Sequence, residues 1–118
     1  MTDQTDQTPG YAIAYLRDVD LNDQIATYLR RIDATLGPYS GRFVVHGGQL
    51  QPLEGEWSGV VVLIEFPSTR AALDWYASPG YQQIAALRTD NSDSMAAVLN
   101  GVPPGYRAAD SVEAVMAG

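Results

Sequence analysis

Apolar and polar positions alternate loosely from Tyr11 to Arg17, between Pro9-Gly10 and an acidic cluster, and this alternation predicts a first strand. Leu21, Ile25, Tyr28, Leu29, Ile32 and Leu36 then recur at helical spacing behind Asp20, the expected N-cap. Asp23 in the first turn and Arg30 and Arg31 towards the end suit the helix dipole, and Gly37-Pro38 is expected to stop the helix. Arg42 to His46 reads as a second strand that Gly47-Gly48 breaks or bulges before Gln49 to Leu53 extends it. Gly59 to Phe66 is a β-branched apolar run long enough for a central strand.

Pro67 ends that run, and Ser68 is placed to cap a helix carrying Ala71, Ala72, Leu73, Trp75 and Tyr76. Ser78-Pro79 is a second start signal, followed by Tyr81, Ile84, Ala85 and Leu87. Met95 to Leu99 fits a last strand or a helical turn, and the abrupt closure by Gly101, Pro103 and Pro104 favours the strand. Asp110 is expected to cap a short terminal helix holding Val112, Val115 and Met116.

The order is β-α-β-β-α-β, the ferredoxin-like split arrangement: an α+β fold with one antiparallel sheet and its helices on a single face. Residues 1–9 read as a disordered leader, 10–105 as the domain and 106–118 as a tail with a short helix. A sheet covered on one side must offer the other to water, a ligand or a second subunit. Strict alternation sets Ala12, Ala14, Val60, Val62, Ile64 and Phe66 towards the helices. It sets Tyr15, Arg42, His46 and Glu65 on the other face, around Val44, Val61 and Leu63, with Asn100 joining them from the last strand. Arg42 should lie close to Glu65, and His46 nearer Val61.

Composition removes chemistry more than it adds any. The 118 residues, 46% of them hydrophobic, can build a core without staples. There is no cysteine for thiol chemistry, no lysine for a Schiff base, and a single histidine, so neither a cofactor nor a metal centre is expected. A net charge of −7 argues against nucleic acid, which needs a basic surface. The longest apolar run, Val60 to Ile64, is too short to cross a membrane, and the N-terminal residues lack the pattern of a secretion signal, so a cytoplasmic protein is expected. No GxGxxG fingerprint follows a strand, and no nucleophile elbow is present.

Histidine is the side chain that exchanges protons most readily near neutral pH, and His46 is the one catalytic candidate: a general base, or else a hydrogen-bonded structural histidine. Glu65 is either a proton acceptor or the partner of Arg42, and pairing is the reading we favour, because a buried charge needs a counter-charge. The expected ligand contacts are Tyr15, Arg42, His46, Trp57, Glu65 and Asn100. Trp57 follows the acidic turn Glu54-Gly55-Glu56 and either covers a pocket mouth or packs on a second subunit. Trp75, Tyr76 and Tyr81 form a helical stripe that reads as core rather than as a cofactor platform.

The strings GRFVVHGG, LEGEW, VVLIEFPS, AALDWYASPGYQ and LNGVPPG occur in this order between Tyr11 and Gly105. In them the chain resembles the family known as domain of unknown function 1330. The resemblance implies a dimeric α/β barrel in which two sheets face each other, and it implies no established activity. Where that family's pattern carries an acidic residue before the final glycine, this chain has Asn100. The expectation is a homodimer that binds a small organic molecule between the sheet and the partner subunit. The alternatives are a cofactor-independent enzyme, monooxygenase- or isomerase-like, that uses His46, and an interaction module that holds no ligand.

Overall fold

Short polar side chains decide where the helices begin. In the computed structural model, which describes residues 8–118, Asn22 accepts from Ile25 N at 3.0 Å and caps the first helix. Asn22 also donates to Asn91 Oδ1 at 2.7 Å, and Asp20 N donates to Asn91 O at 2.8 Å. The expected cap, Asp20, is thus used to tie down the preceding loop, and Leu21 stays outside the helix, 84% exposed. Ser68 accepts from Ala71 N. Ser78 does double duty: its hydroxyl donates to Trp75 O, closing one helix, and accepts from Tyr81 N, opening the next.

The elements are β1 (Gly10–Arg17), α1 (Asp23–Leu36), β2 (Arg42–His46), β3 (Val60–Phe66), α2 (Thr69–Ala77), α3 (Pro79–Thr89), β4 (Asp93–Asn100) and α4 (Val112–Ala117). The sheet order is β2-β3-β1-β4, antiparallel throughout, with the helices packed on one face. Among the described residues no helix is long and apolar enough to cross a membrane.

α1 stops at Gly37-Pro38 as expected, passing into a 3-10 turn over Gly37–Tyr39 before the chain reverses at Ser40, φ +57°. Two other local expectations are corrected. Gly47 and Gly48, both at positive φ, take the chain out of the sheet, so Gln49 to Leu53 forms no strand. Asp110 accepts from Arg107 N inside a 3-10 turn, and α4 starts behind Ser111 instead. Of the expected leader, residues 1–7 lie outside the described residues; Pro9 already bonds to Gly101 N through its carbonyl.

The core fills the space between the helices and one end of the sheet. Tyr28, Ile32 and Leu36 of α1 meet Ala72 and Trp75 of α2, Tyr81, Ile84 and Ala85 of α3, and Ile64 and Phe66 of β3. Helix α1 leans on α3 more than on the sheet. The sheet beneath it is surfaced by alanines at 12, 14 and 96, which reach up very little. A small-residue floor under a raised helix leaves room between the layers.

Candidate functional site

Strand pairing shows which side chains share a face, because partners directly opposite in an antiparallel ladder point the same way. Arg42 pairs with Glu65 and Phe43 with Ile64, but Val45 then pairs with Leu63 and His46 with Val62. Val44 is therefore an extra residue, a bulge that inverts the alternation for the rest of β2. Without it His46 would share the face of Arg42; with it, His46 turns to the helix side. The ring stacks on Phe43 with centroids 4.5 Å apart.

The expected polar cluster accordingly divides. Tyr15, Arg42 and Glu65 do share the open face. Arg42 is ion-paired with Glu65, whose second oxygen accepts from Tyr11 Oη at 3.1 Å, so Glu65 is fully engaged. Tyr15 Oη accepts from Ser58 N and Gly59 N, and those bonds hold its hydroxyl below the usual phenol range. Gly59 fits there because any Cβ would strike the Tyr15 ring at 2.7 Å. Trp57 stands edge-on to Tyr15 and donates to Glu54 O, half-exposed. His46 and Asn100 do not join this face. Asn100 pairs with Gly10 on the helix side and accepts from Thr69 Oγ1 at 2.6 Å, beside the start of α2.

On the helix side lies a cavity of about 550 Å³, lined by Ala12, Ala14 and Ala96 below and by Ile25, Tyr28 and Ile32 above. His46, Phe43, Val60 and Val62 bound it, and exposed Leu21 and half-exposed Leu29 and Val60 mark where it meets solvent. Because the space opens to solvent there, a molecule can enter it without the layers separating. Its volume falls in the usual range for small-molecule sites.

The polar part of the wall is a buried knot that sequence reading missed. Tyr28 Oη and Tyr81 Oη are hydrogen-bonded at 2.8 Å, Arg88 Nε donates to Tyr81 Oη at 3.4 Å, and Arg88 Nη1 donates to Ser94 Oγ at 2.7 Å. Burial, with the Tyr81 hydroxyl second, pushes the Tyr28 phenol well above its ordinary value. For Arg88, burial opposes the charge, but the Tyr81 and Tyr28 hydroxyls outweigh it and its pKa is raised. A signal was available: Arg88 continues the apolar stripe of Tyr81, Ile84 and Ala85 at helical spacing, so a charge sits where α3 should be apolar. Among the described residues no group of three or more histidine, cysteine or acidic side chains could hold a metal.

The chain belongs to the family described as Domain of unknown function (DUF1330), which it matches over residues 9–102. No curated protein matches it. Among solved structures, the RPA0582 protein of unknown function from Rhodopseudomonas palustris is similar at 19% identity and TM-score 0.55, over 83% of this chain and 85% of that one. A dimeric ferredoxin-like protein of unknown function from Jannaschia sp. CCS1 is similar at 13% identity and TM-score 0.59, over 77% and 97%. SnoaB, a cofactor-independent oxygenase from Streptomyces nogalater, is similar at 15% identity and TM-score 0.54, over 86% and 99%. At these identities the likeness shows a shared ferredoxin-like fold.

The Tyr28 phenol gives a pH prediction. Its folded-state pKa is raised, so its contribution is intact below the ordinary value of 10.0 and is lost as pH rises above it. Between about pH 9 and about pH 11, Tyr28→Phe should lose less stability than the parent, by up to about 1.4 kcal/mol per pH unit. Urea midpoints at the two pH values give the comparison. Equal alkaline losses would contradict the buried, hydrogen-bonded phenol.

Proposed function

We propose that this member of the DUF1330 family is a homodimer that binds a small, largely apolar organic molecule in the chamber between the sheet and helices of each subunit. The observation that carries the reading is the chamber itself: about 550 Å³, walled by aliphatic and aromatic side chains with one buried polar knot. This moves the expected ligand site from the open face to the opposite side of the same sheet.

The open face is then the proposed dimer surface. Its middle rows are Val45, Leu63, Ile13 and Ala97, then Val61, Tyr15 and Met95. Met95 is 66% exposed and Leu99 46%. The ion pairs Arg42–Glu65 and Arg17–Asp93 stand at the two ends. An apolar sheet face rimmed by charge is the usual composition of a protein interface. The Jannaschia protein, similar in fold, is described as dimeric.

Turnover is a second reading, favoured by the Val44 bulge, which puts the exposed His46 on the wall of the chamber that Tyr28 and Tyr81 also line. SnoaB, similar in fold, is described as a cofactor-independent oxygenase. In this reading His46 is the general base acting on a bound phenol or lactone.

Three measurements test these statements. Sedimentation equilibrium should give twice the 12.7 kDa chain mass, and Met95→Glu should weaken self-association at least about tenfold by burying an unpaired charge. A monomeric parent protein would remove the dimer. Uptake of the neutral fluorophore N-phenyl-1-naphthylamine should saturate, and Ala14→Phe, which fills the floor, should lower its affinity at least about tenfold. Unchanged uptake would show that the chamber is not the site. Against a panel of phenols and lactones, His46→Gln should cut any turnover about 10²-fold or more while leaving fluorophore affinity in place. Turnover that survives the substitution would rule out His46 as the base.

A further inference from the structure

Arg88 is 5% exposed, yet among the described residues it has no carboxylate partner: the ion pairs there are Arg17–Asp93, Arg42–Glu65 and Arg70–Asp74. Two neutral hydroxyls, Tyr81 and Ser94, accept from a guanidinium that carries five N–H donors. The Tyr81 bond is long, at 3.4 Å. Arg88 also lines the chamber, and none of the lining residues is an aspartate or a glutamate. Its one fixed charge is therefore positive, inside a protein whose net charge is −7.

A cation kept out of water and given only hydroxyl partners has lost much of its hydration without gaining a counter-charge. The hydroxyls make the site tolerable; they do not neutralise it. In the apolar space beside it, a carboxylate would find the planar, fork-shaped partner that guanidinium pairs with best. An uncharged hydroxyl in its place would gain only a single hydrogen bond, weaker than the charge-assisted, two-pronged pair. Resting on the proposed binding chamber, we propose that its ligand is an apolar organic acid, a single carboxylate on an aromatic or aliphatic body, with the carboxylate held by Arg88 and the body lying over the alanine floor.

The arrangement also explains the rest of the polar wall. The Tyr28–Tyr81 pair presents oxygen atoms to Arg88 and fixes its direction, while Ser94 on β4 holds Nη1 from the sheet side. The overall negative charge of the protein repels acids at long range, so any preference for one must arise inside the cavity.

The test compares two fluorescent molecules with the same ring system, anthracene-9-carboxylate and 9-anthracenemethanol, titrated into the full-length protein. The parent protein should bind the acid at least tenfold more tightly than the alcohol. Arg88→Met should remove that preference, lowering the acid's affinity at least tenfold more than the alcohol's, with Arg88→Lys retaining part of it. Equal affinities in the parent protein, which need no variant to be read, would overturn the carboxylate site while leaving the chamber as a binding site. An acid preference that persists in folded Arg88→Met, checked by circular dichroism, would overturn it too. Binding of neither molecule would overturn both this proposal and the binding reading beneath it.

Discussion

The structure turns on Tyr81. Its ring lies 4.3 Å from that of Trp75 on α2, its backbone N–H is capped by Ser78, and its hydroxyl is bonded to Tyr28 of α1 and Arg88 of α3. One side chain, 2% exposed, thus joins all three helices of the layer to each other. A layer held together from within does not have to press down on the sheet along its whole length. It touches the sheet firmly where Ile64 and Phe66 meet the helices, and it spans the alanine surface elsewhere. The chamber is the consequence of that division of labour between a self-sufficient helix layer and a floor of small side chains.

Most of the fold was legible because it follows from rules that local sequence obeys. Serines and a proline announced α2 and α3, and hydrophobic runs located all four strands, with only the extension of β2 over Gln49 to Leu53 absent. Asn22 displaced Asp20 as a cap because Asp20 is held by Asn91, a residue about seventy positions away that no local pattern could bring into view. Arg42 and Glu65 were matched correctly, since they precede the irregular part of β2.

His46 was placed on the wrong face for a reason that is physical rather than accidental. Alternation along a strand holds only while residues pair one to one, and one unpaired residue reverses every position beyond it. The glycines at 47 and 48 looked like the natural place for an irregularity, and they do end the strand. The bulge itself sits at Val44, which is not at positive φ, so it needs no glycine and leaves no mark in the composition. Arg88 was overlooked for the opposite reason: it was in plain view on an apolar stripe, but its meaning required knowing that α1 and the sheet stand apart there.

The two faces of the sheet are made by alternate residues of the same strands, and this couples their designs. In β1, Tyr11, Ile13 and Tyr15 form the open face while Ala12, Ala14 and Leu16 form the chamber floor and wall. Large side chains on one side and small ones on the other give an outward surface suited to packing and an inward surface suited to enclosing space. Substitution can tune either face alone, because neighbouring side chains point away from each other. Insertion or deletion within a strand cannot, because it exchanges the two faces at once. The Val44 bulge is tolerated because it lies at the end of an edge strand, where only Val45 and His46 remain to be inverted. There the inversion delivers a valine to the outward face and the chain's single histidine to the chamber, and the alanine floor on β1 and β4 is left undisturbed.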